Sequence, residues 1–520
     1  MAAHRTHICE SSPAKSGRIA RGRHVGKPSL QHGAFAIMFA PLLIVIIGFT
    51  GLALELGHIY NRKVDMHGVA KAAALAAARE LNGTAAGIAA ARTAARDTIE
   101  ALRYHHFNNG ASVTWSDAAL SFGSTPDRAG TWIPSSSAGS SSGAQIGALY
   151  YARVDTDALD PAIGQVNTVF MRVLSAQLAS VRVTESAVAG RTSLNVTPIG
   201  ICAMSPDAAS VRSATSASGT VVSELVQYGF RRGVSYDIMK LNPNGITPLR
   251  FAVNPVASPG TNGSTFSVSV LEPFVCSGSM WVQRITGGAI RVSELPSSSP
   301  LASLKSALNT RFDQYGGAVC APNGAPPDIN IKSYAYHLAG EVKWMNPGFG
   351  SDAAESTTER GKLETVADLP TAPTASVQYG PLWAFSKAVR APSSLTAPEP
   401  ANGFTPFATS NWPTLYKSGP TASGYPTSPP TPYQSGASGS GNYIPPSTTN
   451  KPLAVPRRRV LNIPLLACSP SAPYGSNAQA SVAGIAKFFM TVPATDSTLI
   501  AEFAGTIPEQ SLSGRVELFP

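Results

Sequence analysis

Charge is scarce in this 520-residue chain: Asp, Glu, Lys and Arg together make up 13% and aromatic residues 8%. A nucleic-acid surface needs a dense basic patch interleaved with aromatics, and none is present. Arg5, Lys15, Arg18, Arg21, Arg23 and Lys27 crowd the first 33 residues beside the lone acid Glu10. The rest of the net charge of +10 is a mild excess spread over the remaining chain. The tight run Arg457-Arg458-Arg459 precedes the apolar VLNIPLLAC and reads as an exposed strand start or loop. No nucleic-acid partner is expected.

Other absences narrow the chemistry. No cysteine pair is spaced C-x-x-C, so zinc-ribbon and thioredoxin chemistry have no support. There is no H-E-x-x-H and no G-x-x-x-x-G-K-[ST]. Gly139-Ser140-Ser141-Ser142-Gly143 fits G-x-S-x-G formally, but it lies in a serine-rich tract rather than on a sharp strand-to-helix turn. His105-His106 follow a helix end, where positive charge is favourable anyway. His4, His7 and Cys9 fall in a basic tail. No catalytic, cofactor-binding or metal-ligating residue is expected. An anchored hydrolase would need a convergent nucleophile–base pair, which the sequence does not display.

Long apolar runs are also rare, with one exception. Ala34 to Leu54 carries no charge. As a helix it would rise about 32 Å against a hydrocarbon core of about 30 Å. It exceeds the apolar stretch of a signal peptide and leads into GHIYNRKVD without an A-x-A cleavage site. The reading is a retained single-pass anchor over 34–56. The flank 14–33 holds Lys15, Arg18, Arg21, Arg23 and Lys27 and no acid; the flank 57–76 holds Arg62, Lys63 and Lys71 with Asp65. That bias places the N-terminus, with its basic tail 1–33, in the cytoplasm and the bulk beyond an inner membrane. Ala36…Ala40 and Ala53…Gly57 are small-xxx-small pairs through which another helix could approach. Glu55, at the outer boundary, reads as an interfacial carboxylate within reach of water.

Several residues here carry a family pattern. G-A-F-A-I at 33–37 opens the span, G-L-A-L-E-L-G-H-I-Y at 51–60 closes it, and K-A-A-A-L-A-A-A-R at 71–79 follows. This stretch resembles the N-terminal module of TadG-like proteins of Tad (Flp) pilus assembly. Gly33, Gly51, Leu52, Ala53, Glu55, Gly57 and Tyr60 fit the pattern. The resemblance implies a pseudopilin-like module in which the exposed half of the helix packs on a sheet. One departure matters: a pilin-type cut after Gly33 would put Met38 where an acid is needed, so processing is not expected. Val275-Cys276-Ser277-Gly278-Ser279-Met280 looks like the metal-site stretch of von Willebrand A domains carried by some relatives. Val275 stands where that site has aspartate, so no metal site is expected.

The fold class expected is α+β. The transmembrane helix should continue into a helix-plus-antiparallel-sheet module over 57–200, followed by a β-rich exported domain. Val64 to about Leu81 reads as helix and ends at Asn82-Gly83. Thr84 could cap a second helix with Ile88, Ala91, Ala95, Ile99 and Leu102 on its apolar side and Arg96 and Glu100 spaced to pair, ending before Asn108-Asn109-Gly110. Residues 148–157 and 180–190 alternate as strands, with a short helix over 165–174 between them.

Residues 201–368 read as β-rich, with FSVSVLEPFVC, WVQRITGGAIRV and INIKSYAYHL as apolar runs and one helix near 301–311. Residues 369–456 form a Pro/Ser/Gly-rich insertion expected to be disordered or linker. Residues 457–520 should complete the β-rich domain. Cys202, Cys276, Cys320 and Cys468 all lie beyond the span, where two disulfides with three possible connectivities are expected. Cys202–Cys468 with Cys276–Cys320 is favoured, since GICAMSP and LACSP each end an apolar run in cysteine.

These readings converge on a non-enzymatic, membrane-anchored assembly component of a Tad (Flp)-type pilus or secretion apparatus. Its partners would be the membrane and other pilus-assembly or secretion proteins. The alternative is a membrane-tethered periplasmic or surface binding protein, adhesin-like and unrelated to pili.

Overall fold

A computed structural model describes residues 32–102, 114–245, 247–260, 266–317, 319–335, 380–397, 399–416, 425, 431–435, 441–468, 472–512 and 514–520. His4, His7, Cys9, His105, His106 and the Asn108-Asn109-Gly110 stop lie outside them. The architecture is mixed: one long apolar N-terminal helix is followed by a β-rich region. The chain divides into two compact units, one of residues 1–61 and 166–181, the other of 62–165 and 182–520.

Helix α1, His32–Glu80, runs 49 residues without a break and enters both units. Pro41 falls inside it. In the first unit α1 exposes its large apolar side chains, among them Met38, Ile44 and Phe49, at 78%, 70% and 70%. Met38–Glu80 contains a stretch apolar and long enough to cross a membrane. The first unit also contains the excursion 166–181. The strands Gln165–Asn167 and Ser180–Arg182 pair at its foot, and Phe170–Leu174 forms a short helix at its tip.

In the second unit the pattern on α1 reverses. Met66, Val69, Ala70, Ala73, Ala74, Ala77, Ala78 and Leu81 are all buried. Their spacing follows 3.6 residues per turn, which puts them on one stripe. Thr84 caps helix α2, Ala85–Ala101, by accepting from the Gly87 N–H. Ile88, Ala91, Ala95 and Ile99 face the same core, with Leu102 packed at its edge. Arg96 pairs with Asp97 rather than with the expected Glu100.

Both helices share that core with a five-stranded antiparallel sheet. Its order is Val516–Phe519, Ser186–Arg191, Tyr151–Asp155, Leu120–Gly123 and Trp132–Pro134. Tyr151–Asp155 lies in the run expected at 148–157, but the strand expected over 180–190 splits: Ser180–Arg182 pairs with Gln165–Asn167, which was expected to be helical, and only Ser186–Arg191 joins this sheet, antiparallel to Tyr151–Asp155. The edge strand Val516–Phe519 departs from expectation. It comes from the far end of the chain, expected to complete the other domain, and pairs with Ser186–Arg191. No local pattern specifies so distant a partner.

The other large sheet has seven strands, ordered Ser235–Asp237, Ile500–Thr506, Ala478–Met490, Ala289–Glu294, Arg250–Val253, Ile199–Cys202 and Val460–Leu466. Val460–Leu466 also pairs with Ala478–Met490, so five of these strands close into a ring. A core lies on each side of the wall: Ile199, Ile201 and Leu465 point into one, Cys202 and Leu466 into the other. Burial on both faces explains why VLNIPLLAC is apolar except at Asn462 instead of alternating. Within FSVSVLEPFVC, residues Glu272–Ser277 are helical, not strand, with Pro273 in the first turn, where its missing N–H costs nothing.

Two further readings are revised. The described parts of 369–456 have little regular structure, yet several of their aromatic side chains are packed. Trp383, Trp412, Leu415, Tyr416, Tyr425 and Tyr433 are buried in the main core. Composition averaged over the stretch hid these aromatics, whose burial offsets the ordering cost of the chain around them. Arg459, read as part of an exposed run, is fully buried. It donates to the carbonyls of Met490, Thr491, Asn330 and Lys332 at 2.6–2.9 Å. Its guanidinium lies over Phe312 and Phe489, 4.3 and 4.4 Å from the ring centres.

Candidate functional site

Within the first unit, two of the quoted motif residues acquire a shared role. Gly51 and Glu55 are four positions apart and so occupy one face of α1. Both are buried, whereas Ala53, Leu54, Leu56, Gly57 and Tyr60 around them are exposed. The segment 166–181 covers them. The Phe170 N–H donates to Glu55 Oε1 at 2.6 Å and the Met171 N–H to Oε2 at 2.7 Å. The Val169 N–H also donates to Oε1.

These are free N–H groups at the start of the short helix Phe170–Leu174, whose own cap residue, Val169, offers no side-chain acceptor. A carboxylate 115 positions upstream therefore satisfies them through charge-assisted hydrogen bonds. One turn earlier on α1, a Cβ added at Gly51 would overlap the Phe170 ring. Glycine is what lets that ring lie against the helix backbone.

The other motif residues do not join this seat. Leu52 is half-buried, Ala53 and Tyr60 face outward, and a Cβ at Gly57 would meet nothing within 4 Å. Gly33 lies in the first turn of α1. Glu55, expected at a wet boundary, is only 7% exposed because the N–H cluster folds over it. The spacing of Gly51 and Glu55 hinted at a shared face. Nothing in the sequence marked residues 169–171 as its cover.

In the second unit, Cys202 is joined to Cys468 and Cys276 to Cys320, with Cα–Cα distances of 5.5 and 6.3 Å. These are the two pairings favoured from the sequence. The first links adjacent strands, since Leu466 pairs in register with Cys202. The stretch Val275–Ser277 gives its carbonyls to two guanidinium groups: Arg311 to Val275 at 2.8 Å, and Arg458 to Cys276 at 2.7 Å and Ser277 at 3.0 Å. That environment repels a divalent cation. Among the described residues, no three His, Cys, Asp or Glu side chains gather as metal ligands. In the serine-rich tract, Ser140 bonds the Ser137 carbonyl and Ser142 caps the turn at Gln145, so both hydroxyls serve local structure.

A cavity of about 580 Å³ opens in the second unit, bordered by Leu225, Tyr228, Glu399, Phe404, Thr506 and Glu509. Both of its carboxylates are already engaged. Glu399 grips Arg232 through two bonds of 2.6 and 2.8 Å, and Glu509 accepts from the Ile285 N–H and the Thr286 hydroxyl. Burial raises the pKa of Glu509; the hydrogen bonds and Arg191 oppose it.

Fold and seat together define a class: a chain whose first helix is a candidate membrane span and whose continuation packs on an antiparallel sheet. Residues 33–80, nearly the whole of α1, match the family model described as putative Flp pilus-assembly TadE/G-like. No curated protein and no solved structure matches the chain.

Proposed function

We propose that this chain is a membrane-anchored structural component of a Flp-type pilus or secretion apparatus, acting by docking to other proteins of that apparatus and not by catalysis. The observation that carries the reading is α1 itself. It is a single helix whose first part is apolar and, apart from the face of Gly51 and Glu55, uncovered, and whose second part is an alanine stripe buried on a sheet. The family match over 33–80 supports the link to pilus assembly. The basic flank before the span favours a cytoplasmic N-terminus. Two disulfides fit an oxidising compartment beyond an inner membrane. With Met38 in place of an acid, the span is retained and not cut after Gly33.

The test is deletion of the gene, counting of surface pili by electron microscopy, and complementation with the full chain. Loss of pili restored by the chain supports the reading; unchanged piliation contradicts it. Affinity capture from detergent-solubilised membranes should then recover other pilus-assembly proteins.

A further inference from the structure

The excursion 166–181 is more apolar on its outside than a soluble loop should be. Val169, Val173 and Leu174 are 71%, 83% and 69% exposed, and Leu178 is 36% exposed. Arg172 and Gln177 stand among them. In water, such an apolar cluster on a short helix would be costly.

The position of the excursion explains the pattern. Phe170 lies on Gly51, and Gly51 lies inside the uncharged stretch 34–54, about 4.5 Å of helix rise before Leu54. Val173 and Leu174 follow Phe170 by three and four residues and so share its side of the short helix. Glu55 holds the start of that helix with three backbone bonds, so the segment is fixed at this level on α1. The N–H groups of Val169, Phe170 and Met171 at the helix start are satisfied, in keeping with the need to pair backbone placed near hydrocarbon.

Resting on the reading of α1 as a membrane span, we propose that 166–181 is a second, interfacial membrane contact. Val169, Val173 and Leu174 enter the outer edge of the bilayer beside the span, while Arg172 reaches the phosphate level of the lipid headgroups. The ligand is a lipid surface. The Gly51–Glu55 pair serves as the clamp that sets the depth of the segment. A helix spanning alone can rotate and tilt; a helix with a clamped interfacial flap has its rotation fixed.

The test uses the full chain with Cys9→Ser, both disulfides intact, reconstituted in phosphatidylcholine/phosphatidylglycerol vesicles. A single cysteine carrying a nitrobenzoxadiazole fluorophore is placed at Val173, at Ile44 in the span, or at Ser497 on the exposed surface. Quenching by lipids spin-labelled near the headgroup end of the acyl chain is compared with quenching by iodide present on both sides.

The expected result is several-fold stronger lipid quenching at positions 173 and 44 than at 497, with iodide showing the reverse order. Adding Glu55→Gln with Gly51→Val should return the label at 173 to iodide without changing the label at 44. If 44 is quenched by lipid while 173 behaves like 497, the interfacial contact is refuted and the anchor stands. If 44 also fails to meet lipid, the anchor reading falls, and this inference with it. A label at 173 that neither quencher reaches means that protein covers the patch, which also refutes the proposal.

Discussion

The two large cores of the second unit are built by opposite means. The core beneath α1 and α2 is rich in small side chains: Ala70, Ala73, Ala74, Ala77, Ala78, Ala91 and Ala95 let helix and sheet backbones come close, while larger residues such as Ile88, Leu120 and Phe122 fill the rest. The main core against the seven-stranded sheet is made of Trp383, Trp412, Phe230, Phe488 and Phe503, with whole charged groups inside it. Arg231 and Glu224 meet at 2.7 Å with almost no exposure. Glu502 accepts from the N–H groups of Ala384, Phe385 and Ser386. In the first core, shape follows from periodicity. In the second, buried charges tie irregular chain to strands and stand in for the hydrogen bonds of regular structure.

If that contrast is right, the largest loss comes from removing one of those ties. Arg459→Met should cost about 3–5 kcal/mol, because the carbonyls of Asn330, Lys332, Met490 and Thr491 lose their donor in a dry site. Urea unfolding of the detergent-solubilised chain measures this; a loss below about 1 kcal/mol would mean that water reaches these carbonyls.

Next is Glu502, whose carboxyl burial pushes up to about 7 despite the N–H groups of Ser386, Phe385 and Ala384, which favour its charged form. With the folded value above the unfolded 4.5, its contribution to stability is complete below about pH 4.5 and is lost as pH rises through about 7. Burial also raises Asp237, Asp328 and Glu509, which tilt the profile the same way. Glu502→Gln should therefore lose part of the fall in Tm between pH 5 and pH 8. Measured against the parent, the variant should gain a few degrees across that range. A constant offset would contradict the assignment.

The alanine core should respond to added volume. Ala74→Leu should cost about 1–3 kcal/mol by overpacking, although leucine is a good helix former. An unchanged or raised Tm would show that helix and sheet are not in close contact there. The smallest effect is at the cap: Thr84→Ala should cost about 1 kcal/mol, and Thr84→Ser much less.

The same contrast explains what could be read in advance. The helix over Val64 to about Leu81, the Thr84 cap and the apolar side of α2 were legible because each depends on residues a few positions apart. Of the three possible disulfide connectivities, the one favoured because Cys202 and Cys468 each end an apolar run is the one present. Glu55 and its cover at 169–171, Glu502 and its cover at 384–386, and the return of Val516–Phe519 to the first sheet were not legible. Each depends on backbone N–H or edge groups, which every residue carries and no sequence pattern marks. Arg459 was misread for a related reason: a basic run looks solvated unless its carbonyl partners, up to 182 positions away in the case of Arg458, are known.

The central claim is that α1 is shared between lipid and sheet. Alkaline carbonate extraction of membranes from cells making the full chain tests it most directly. The account predicts that the chain stays in the membrane pellet, as an integral protein does. Release of the intact chain into the supernatant would contradict it.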